Sequence, residues 1–190
     1  MGEVHKAGAT YQDVLDAPDG MIAELVGGKL YLQPRPAARH VHCASRIGGL
    51  LTPPFELGRG GPGGWTILDE PELHLGADVL VPALAGWRTE AARAVDWNLA
   101  YFEVTPQWVC EVLSPATARR DRLLKLDVYY ANRVEWAWLV DPGQQTVEIF
   151  SWSENGWVRT QTAAGNESTG LEPFAAVPLE LGLIWPPTAS

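Results

Sequence analysis

The chain has 190 residues, of which 46% are hydrophobic and 19% charged, and its formal net charge is −9. This composition excludes an intrinsically disordered chain, and no apolar run approaches the roughly 20 residues that span a bilayer. The acidic balance also argues against strong, indiscriminate binding to DNA, which usually requires a basic face. We therefore expect a single domain over residues 1–190 without a membrane segment.

The N-terminus and the cysteines indicate the compartment. Met1 to Thr10 contains no apolar segment of the kind found in secretory signals. Cys43 and Cys110 are far apart in sequence and form no CxxC pair, so reduced thiols are the default. We expect a cytoplasmic protein.

The first elements in chain order are a short helix and a hairpin. Thr10 is a typical N-cap and predicts a helix over Tyr11–Ala17. Apolar residues on both sides of Gly27-Gly28 predict a two-residue hairpin with strands over Met21–Val26 and Lys29–Gln33.

A longer helix and several strands follow. Apolar residues recur mostly at three-residue spacing over Ala38–Leu51, which predicts a helix that stops at Pro53-Pro54. The glycine-rich segment 58–64 lacks the Gly-Lys-Ser/Thr of a phosphate-binding loop and is interpreted as a connection. Further strands are predicted over Trp65–Asp69, Glu72–Leu75 and Val79–Gly86. The last of these is nearly all apolar, so we expect a strand buried on both faces.

The C-terminal half predicts a strand–helix–strand unit followed by a meander. Gln107–Leu113 is a second apolar strand, Ala118–Asn132 has helical spacing, and Glu135–Val140 is the next strand. Such a unit implies a right-handed crossover. With later strands over Thr146–Trp152 and Trp157–Thr162, the pattern predicts an α/β fold in which a mixed β-sheet is flanked by helices.

Glu111 is the first candidate for chemistry, because it interrupts the apolar strand WVCEVL. A lone buried carboxylate costs several kcal/mol and needs a partner or a metal ion. The strand ends within three residues, at Ser114-Pro115, and α/β folds place their sites near strand ends.

The helix that follows supplies Asp121 and Lys125, which are four residues apart and can pair on one face. Lys125 is also one strand-to-helix turn from Glu111, so we expect these two side chains within about 6 Å of each other. A carboxylate that holds Mg²⁺, facing a lysine that stabilises charge on a phosphate, suits phosphoester hydrolysis.

Glu24 is a third acid, alone in the apolar run IAELV. Taken singly, each of these residues also fits a structural salt bridge or a solvent-facing position on a half-buried strand. The pattern alone leaves open whether the three converge.

The order of four segments resembles a nuclease family. ELVGGKLY, VPALAGW, WVCEVLSPATARRDRLLKLDVYY and VEWAWLVDP follow one another as in the Uma-type family of putative restriction endonucleases, within the PD-(D/E)XK nuclease superfamily. The resemblance covers roughly residues 10–185, and EVLSPATARRD is its most specific part. It implies a restriction-endonuclease-like fold that hydrolyses DNA phosphodiester bonds with Mg²⁺ or Mn²⁺.

The resemblance also implies roles for individual residues. Glu24 would contribute to the site, and Glu111 would be a metal ligand. Lys125 would replace the lysine that other members of the superfamily carry two residues after that glutamate, where this chain has Leu113. The central metal ligand would be the acid after proline in the VPALAGW segment.

That central position is Ala83 here, directly after Pro82. Alanine offers no oxygen, so the resemblance implies a weakened metal site and turnover lowered by orders of magnitude. Asp78 lies five residues upstream, and this odd offset on a strand puts it on the opposite face. A naturally degenerate copy and a deliberate inactivating substitution both fit.

Supporting roles are assigned to Asp121, His40 and Ser114. His40 follows Arg39 near a helix start that can face the site. No Gly-x-Ser-x-Gly elbow surrounds Ser114, so a strand-end turn or a helix cap explains it better than a nucleophile.

These observations support one leading hypothesis and two alternatives. The first is a metal-dependent DNA endonuclease impaired at Ala83, with Lys125, Glu111 and Glu24 as catalytic residues. The second is an inactive homologue that binds nucleic acid or protein, and the third is the same fold acting on a substrate other than duplex DNA. We expect a homodimer, since two-fold dimers are the commonest soluble oligomers and double-strand cutters often need two sites.

Overall fold

The computed structural model of the protein describes residues 4–115 and 117–187. Its strands, in chain order, are β1 (Val4–Ala7), β2 (Met21–Val26), β3 (Lys29–Pro34), β4 (Trp65–Asp69), β5 (Leu73–Leu75), β6 (Asp78–Leu80), β7 (Leu84–Arg88), β8 (Trp108–Val112), β9 (Trp136–Asp141), β10 (Thr146–Ser151), β11 (Val158–Ala164), β12 (Ser168–Thr169) and β13 (Leu179–Glu180). Its α-helices are α1 (Tyr11–Leu15), α2 (Ala38–Leu51), α3 (Thr89–Ala92), α4 (Ala118–Arg120) and α5 (Leu126–Ala131). Two π-helical segments, Thr52–Glu56 and Asp121–Lys125, extend α2 and join α4 to α5, and a 3₁₀ turn spans Leu181–Leu183.

The first sheet is antiparallel and has the strand order β1-β3-β2-β6-β5. The hairpin β2–β3 forms as predicted, with Gly27 and Gly28 at φ 57° and 69°, the left-handed region that a two-residue turn of this kind requires. The strand β6 joins β2 through the pair Leu25 and Val79. This sheet therefore carries Glu24 on one of its inner strands.

The second sheet has the order β11-β10-β9-β8-β7-β4 and contains the predicted crossover. β8 and β9 run parallel, joined through the helical segment 118–131, and the other neighbouring strands pair antiparallel. This is a mixed sheet flanked by helices, so the predicted fold class is confirmed. β12 and β13 form a separate two-stranded pair.

The two faces of the second sheet are buried by different elements. On one face lie α2 and the C-terminal segment, whose buried members include Cys43, Ile47, Phe174, Ile184 and Trp185. On the other face α5 and the first sheet pack together, with buried members that include Leu73, Leu80, Leu126, Tyr129 and Leu139. The helix α1 covers the outer side of the first sheet, where its Val14 packs with the sheet residues Ala23, Leu25, Leu30 and Val79. The end of β8 thus lies between the helical segment 118–131 and the first sheet.

The prediction of one strand over Val79–Gly86 is wrong. The chain forms β6 and β7, which belong to different sheets and are separated by Val81, Pro82 and Ala83. Proline has no N–H to donate to a ladder. The Val81 N–H donates instead to Glu24 Oε1 at 3.0 Å. The break therefore passes the chain from one sheet to the other at the candidate site.

The prediction of one α-helix over Ala118–Asn132 is wrong in its middle. The segment Asp121–Lys125 is π-helical, between α4 and α5. A π turn hydrogen-bonds i to i+5, and such turns occur frequently at functional sites. The change in period alters which side chains share a face of the helix.

Two further predictions concern the whole chain. Cys43 and Cys110 are free and buried, in agreement with reduced thiols. Over residues 4–115 and 117–187, no helix is long and apolar enough to cross a membrane.

Candidate functional site

The strand β3, the helix α2, the end of β8, the helical segment after β8 and the break after β6 meet around a cavity of about 400 Å³. Its lining includes charged and polar residues from these elements: Gln33, His40, Glu111, Ser114, Arg120, Asp121 and Lys125. Apolar walls come from residues such as Pro34, Pro36, Pro82 and Ala83. The predicted site residues that line it are thus brought to one place by β8, α2 and the helical segment.

Lys125 is at the centre of the charged groups, and its side chain is only 2% exposed. Its ammonium lies 2.6 Å from Glu111 Oε1 and 2.7 Å from Glu24 Oε1. It also donates to the carbonyl of Val81 at 3.2 Å. The expected distance of about 6 Å or less between Lys125 and Glu111 is confirmed. One ammonium therefore joins β8, the first sheet and the strand break.

Ala83 lies at the same cavity, with 4% of its surface exposed. Ala83 directly precedes β7, whose register with β8 begins at Leu84 and Cys110, and it packs with core residues on the α2 side. It lines the same cavity as Glu111, so an aspartate at position 83 would add a carboxylate to the wall of that cavity. Asp78 is used elsewhere, since its carboxylate accepts the Gly27 N–H at 2.7 Å.

Glu24 is fully buried and faces two cations. Besides Lys125, Arg120 Nη2 lies 2.9 Å from Glu24 Oε2, as an ion pair without hydrogen-bond alignment. Burial alone would raise the pKa of Glu24, but Lys125 and Arg120 hold it below its usual range. Glu24 is therefore the carboxylate that stays ionised.

Glu111 has fewer partners and titrates differently. Its Oε1 accepts Tyr129 Oη at 2.6 Å in addition to the Lys125 contact. Burial raises the pKa of Glu111 to about 7, with a further contribution from Asp121 and Glu24, while Lys125 opposes the shift. Near neutral pH this carboxyl group can therefore hold or release a proton.

Burial and neighbouring charges also shift the pKa values of Lys125 and Asp121. Burial would lower the pKa of Lys125, but Glu111, Glu24 and Asp121 raise it, so the ammonium stays charged. Burial also raises the pKa of Asp121, with Lys125 opposing. Three carboxylates against Lys125 and Arg120 leave the fully ionised cluster with an excess of negative charge.

The three supporting residues all line the cavity, in different ways. Burial lowers the pKa of His40, and the nearby Lys125 charge adds to this effect. Ser114 Oγ accepts the Thr117 N–H at 3.2 Å, which is the turn-capping role favoured from the sequence. The expected ion pair between Asp121 and Lys125 does not form among the described residues, because the π turn replaces α-helical i, i+4 stacking.

Sequence reasoning missed Arg120, Tyr129 and the backbone of Val81. Arg120 and Lys125 are five residues apart, which in an α-helix places them about 140° apart around the axis. The π-helical segment between them narrows this angle, and both side chains reach Glu24. Tyr129 is four residues after Lys125, so ordinary helical spacing indicated that it shares the lysine's face.

The described residues do not fit a complete metal centre. Ala83 offers no oxygen, and Lys125 and Tyr129 already occupy Glu111 Oε1. Glu24 faces Lys125 and Arg120, as described above. Within residues 4–115 and 117–187, no group of three or more His, Cys, Asp or Glu side chains gathers where it can hold a metal ion.

Comparisons with known proteins give a family and a fold. The sequence model of the family Uma2, described as putative restriction endonuclease, matches residues 9–183. A solved structure of a putative nuclease belonging to DUF820, from Anabaena variabilis ATCC 29413, superposes with a TM-score of 0.74. It shares 18% sequence identity and covers 93% of this chain and 97% of its own. No curated protein matches this chain. At this identity the structural likeness shows a shared fold alone.

Proposed function

Since the chain belongs to the Uma2 family, we propose that it is a nuclease of restriction-endonuclease type, directed at DNA, whose phosphodiester hydrolysis is impaired at Ala83. The family match confirms the resemblance inferred from the four sequence segments and supports a nuclease-type function. The proposal gives Glu111 and Lys125 the catalytic positions and Glu24 the role of fixing the lysine.

The observation that carries the proposal is the contact of Lys125 with both Glu24 and Glu111 beside Ala83. Lys125 and Glu111 line one cavity together with Ala83, whose side chain is only a methyl group, and Glu24 is fully buried against the lysine. This pattern supports a phosphodiesterase site that has lost one acid. A divalent ion would supply Lewis-acid stabilisation of the phosphate in a complete site.

Ala83→Asp tests the proposal by restoring the acid. The assay is cleavage of plasmid DNA, single-stranded DNA and RNA with Mg²⁺ or Mn²⁺. We expect Ala83→Asp to cut DNA about 100-fold faster than the unmodified chain or more. Ala83→Asn is the matched control of equal size without charge, and Ala83→Asp/Glu111→Gln should be inactive.

A non-cleaving homologue that binds nucleic acid or protein is the second candidate. It is favoured by the incomplete set of oxygen ligands among the described residues. If Ala83→Asp cuts none of the three substrates with either metal, the nuclease proposal fails and this candidate replaces it. Cleavage of RNA alone would instead transfer the proposal to an RNA substrate.

For the assembly we propose a two-fold homodimer, on the ground that cutting both strands of a duplex needs two sites and that two-fold dimers are the commonest oligomers. Sedimentation velocity at several concentrations measures the mass in solution. A monomer at all concentrations would contradict this proposal and leave the nuclease assignment untouched.

A further inference from the structure

We propose that Arg120 binds a phosphate group of a nucleic-acid backbone inside the cavity. The inference rests on the proposed function, because it names a substrate contact of the same site. It starts from the bonding of one buried side chain and does not require a metal ion.

Arg120 is buried, and most of its hydrogen-bonding capacity is unused. Its side chain is 4% exposed, and Nη2 donates to Gln33 Oε1 at 2.6 Å. Within residues 4–115 and 117–187, Nε and Nη1 find no hydrogen-bond partner. A guanidinium has five N–H donors, of which three belong to these two nitrogens. The donors are thus available to a ligand.

Neutralising Glu24 does not explain this arrangement. Lys125 Nζ already lies 2.7 Å from Glu24 Oε1, and the Val81 N–H donates to the same oxygen, whereas the Arg120 contact with Oε2 lacks hydrogen-bond alignment. Asp121 Oδ1 is 3.9 Å from Arg120 Nε, beyond hydrogen-bond length. Buried polar groups in folded proteins are nearly always partnered, so unpaired guanidinium N–H donors on a cavity wall indicate a missing acceptor.

A phosphate is the acceptor that the surroundings favour. Arginine donates to phosphate oxygens with defined geometry and stays charged at every accessible pH. Arg120 and Lys125 line the same cavity, and Arg35 lies exposed in its lining, where it can meet a neighbouring phosphate. Proline side chains make part of the wall apolar, which strengthens charge contacts beside it.

The acidity of the chain limits this binding to a few built contacts. The formal net charge of −9 repels a polyanion at long range. Binding should therefore depend on Arg120 more than on general surface charge, and its salt dependence should correspond to about one or two phosphate contacts.

The test measures binding without cleavage, in EDTA, by fluorescence anisotropy of a labelled oligothymidylate and of a duplex of equal length. Arg120→Lys keeps the charge and removes the free guanidinium donors. We expect it to weaken oligonucleotide binding about tenfold or more, as loss of a charge-assisted contact does. The matched control is Arg159→Lys, on a surface arginine paired with Glu148, which should stay within about twofold of wild type.

A measurement on the unmodified protein covers the case in which Arg120→Lys does not fold. Inorganic phosphate is titrated while the arginine Nε–Hε signals are followed by NMR. One slowly exchanging signal, from a buried arginine, should shift on saturation. No shifted signal would overturn the proposal, as would wild-type affinity in a folded Arg120→Lys. A shift with inorganic phosphate but no oligonucleotide binding would overturn the nucleic-acid assignment and leave a free phosphate as ligand.

The result is separable from that of the cleavage assay. If Ala83→Asp cuts DNA and Arg120→Lys binds oligonucleotide as wild type does, the Arg120–phosphate proposal fails and the nuclease proposal stands. If Arg120→Lys loses binding and Ala83→Asp does not cut, the Arg120–phosphate proposal stands and the nuclease proposal fails.

Discussion

Lys125 Nζ and Glu111 Oε1 lie 2.6 Å apart, and their side chains are 2% and 5% exposed. Such a buried pair contributes little as a pair, because desolvation offsets the attraction between the charges. Removing one partner is different, since the other charge stays buried without compensation. Lys125 also pairs with Glu24, so its removal would take away the cation that pairs with Glu111 and one of the two cations that pair with Glu24.

Lys125→Met should therefore destabilise the fold severely. Methionine has a similar length and no charge, and we expect a loss of about 3–5 kcal/mol in the free energy of unfolding. Urea denaturation at pH 8 measures it. Lys6→Met is the control, because Lys6 forms an exposed pair with Asp13 and should cost less than about 1 kcal/mol. Equal losses in both variants would contradict a central role for Lys125 in the buried network.

The stability of Glu111→Gln relative to wild type should rise with pH. The pKa of Glu111 is about 7 in the folded protein, against 4.5 as its ordinary value. Between these values the folded state binds more protons than the unfolded state, so wild-type stability falls with rising pH and is fully reduced above about pH 7. Glutamine does not titrate and escapes this loss, which is on the order of 3 kcal/mol.

The measurement is urea denaturation of Glu111→Gln and wild type from pH 4 to pH 8. The difference between them should grow across this window. Glu103→Gln, on an exposed carboxylate, controls for the loss of one negative charge on the surface. A constant difference between Glu111→Gln and wild type would show that the ionisation of Glu111 does not oppose folding.

Tyr129→Phe removes the hydroxyl group that donates to Glu111 Oε1 at 2.6 Å. A buried hydrogen bond to a charged group contributes about 1.5–3 kcal/mol, and we expect a loss in this range at pH 8. The double variant with Glu111→Gln should lose less than the sum of the single losses, because the two groups interact. Tyr130→Phe is the adjacent control, whose hydroxyl group donates only to backbone carbonyls. Additive losses would contradict the coupling.

Ala83→Asp should make the fold respond to divalent cations. Without metal, a further buried carboxylate near Glu111 lowers the melting temperature. Saturating Mn²⁺ should restore it, because an ion that binds only the folded state stabilises it by about 2.7 kcal/mol at 100 times its Kd. Scanning calorimetry with and without Mn²⁺ measures the shift. Wild type and Ala83→Asn should show no comparable shift, and a flat response of Ala83→Asp would count against position 83 as a ligand position.

Gly86→Ala should disturb the pairing between β7 and β8. A methyl group there would meet Trp108 Cε3 at 3.0 Å and Trp65 Cε3 at 3.3 Å. Overpacking of this kind typically costs about 1–3 kcal/mol. Gly49→Ala is the matched control, since its methyl group meets nothing within 4 Å and lies inside α2, where alanine stabilises by about 1 kcal/mol. Thermal unfolding of both variants should move in opposite directions.

The elements that follow from local periodicity were predictable from the sequence. The helix Ala38–Leu51 and the strand Trp65–Asp69 have the predicted bounds, since apolar spacing and flanking prolines or glycines determine them. The crossover that brings Lys125 back over Glu111 also followed from the strand–helix–strand order. Proximity of this lysine and this glutamate was therefore within reach of sequence reasoning.

The predictions made from the sequence are wrong where tertiary contacts override a local pattern of residues. Val79–Gly86 has the composition of one buried strand. The backbone N–H and carbonyl of Val81, however, form hydrogen bonds with the side chains of Glu24 and Lys125 instead of continuing a strand ladder. The π turn that brings Arg120 to the cavity has the same hydrophobic spacing as an α-helix. Neither feature leaves a signal in a sequence read by periods of two and 3.6 residues.

The hydrogen bonds of the Val81 backbone have a consequence for which residues of this site can be substituted without loss of the fold. Its N–H is held by Glu24 and its carbonyl by Lys125, so these two side chains fasten the two sheets to each other at the strand break. Ala83 fills its position in the core with an apolar methyl group, which cannot form a hydrogen bond of this kind. On the proposed function, a chain of this fold can lose the acid at position 83 and remain folded, while Glu24 and Lys125 keep their structural contacts. Under that proposal, Glu24 and Lys125 in a sequence are a sign of the fold, and an acid after Pro82 is the sign of the activity.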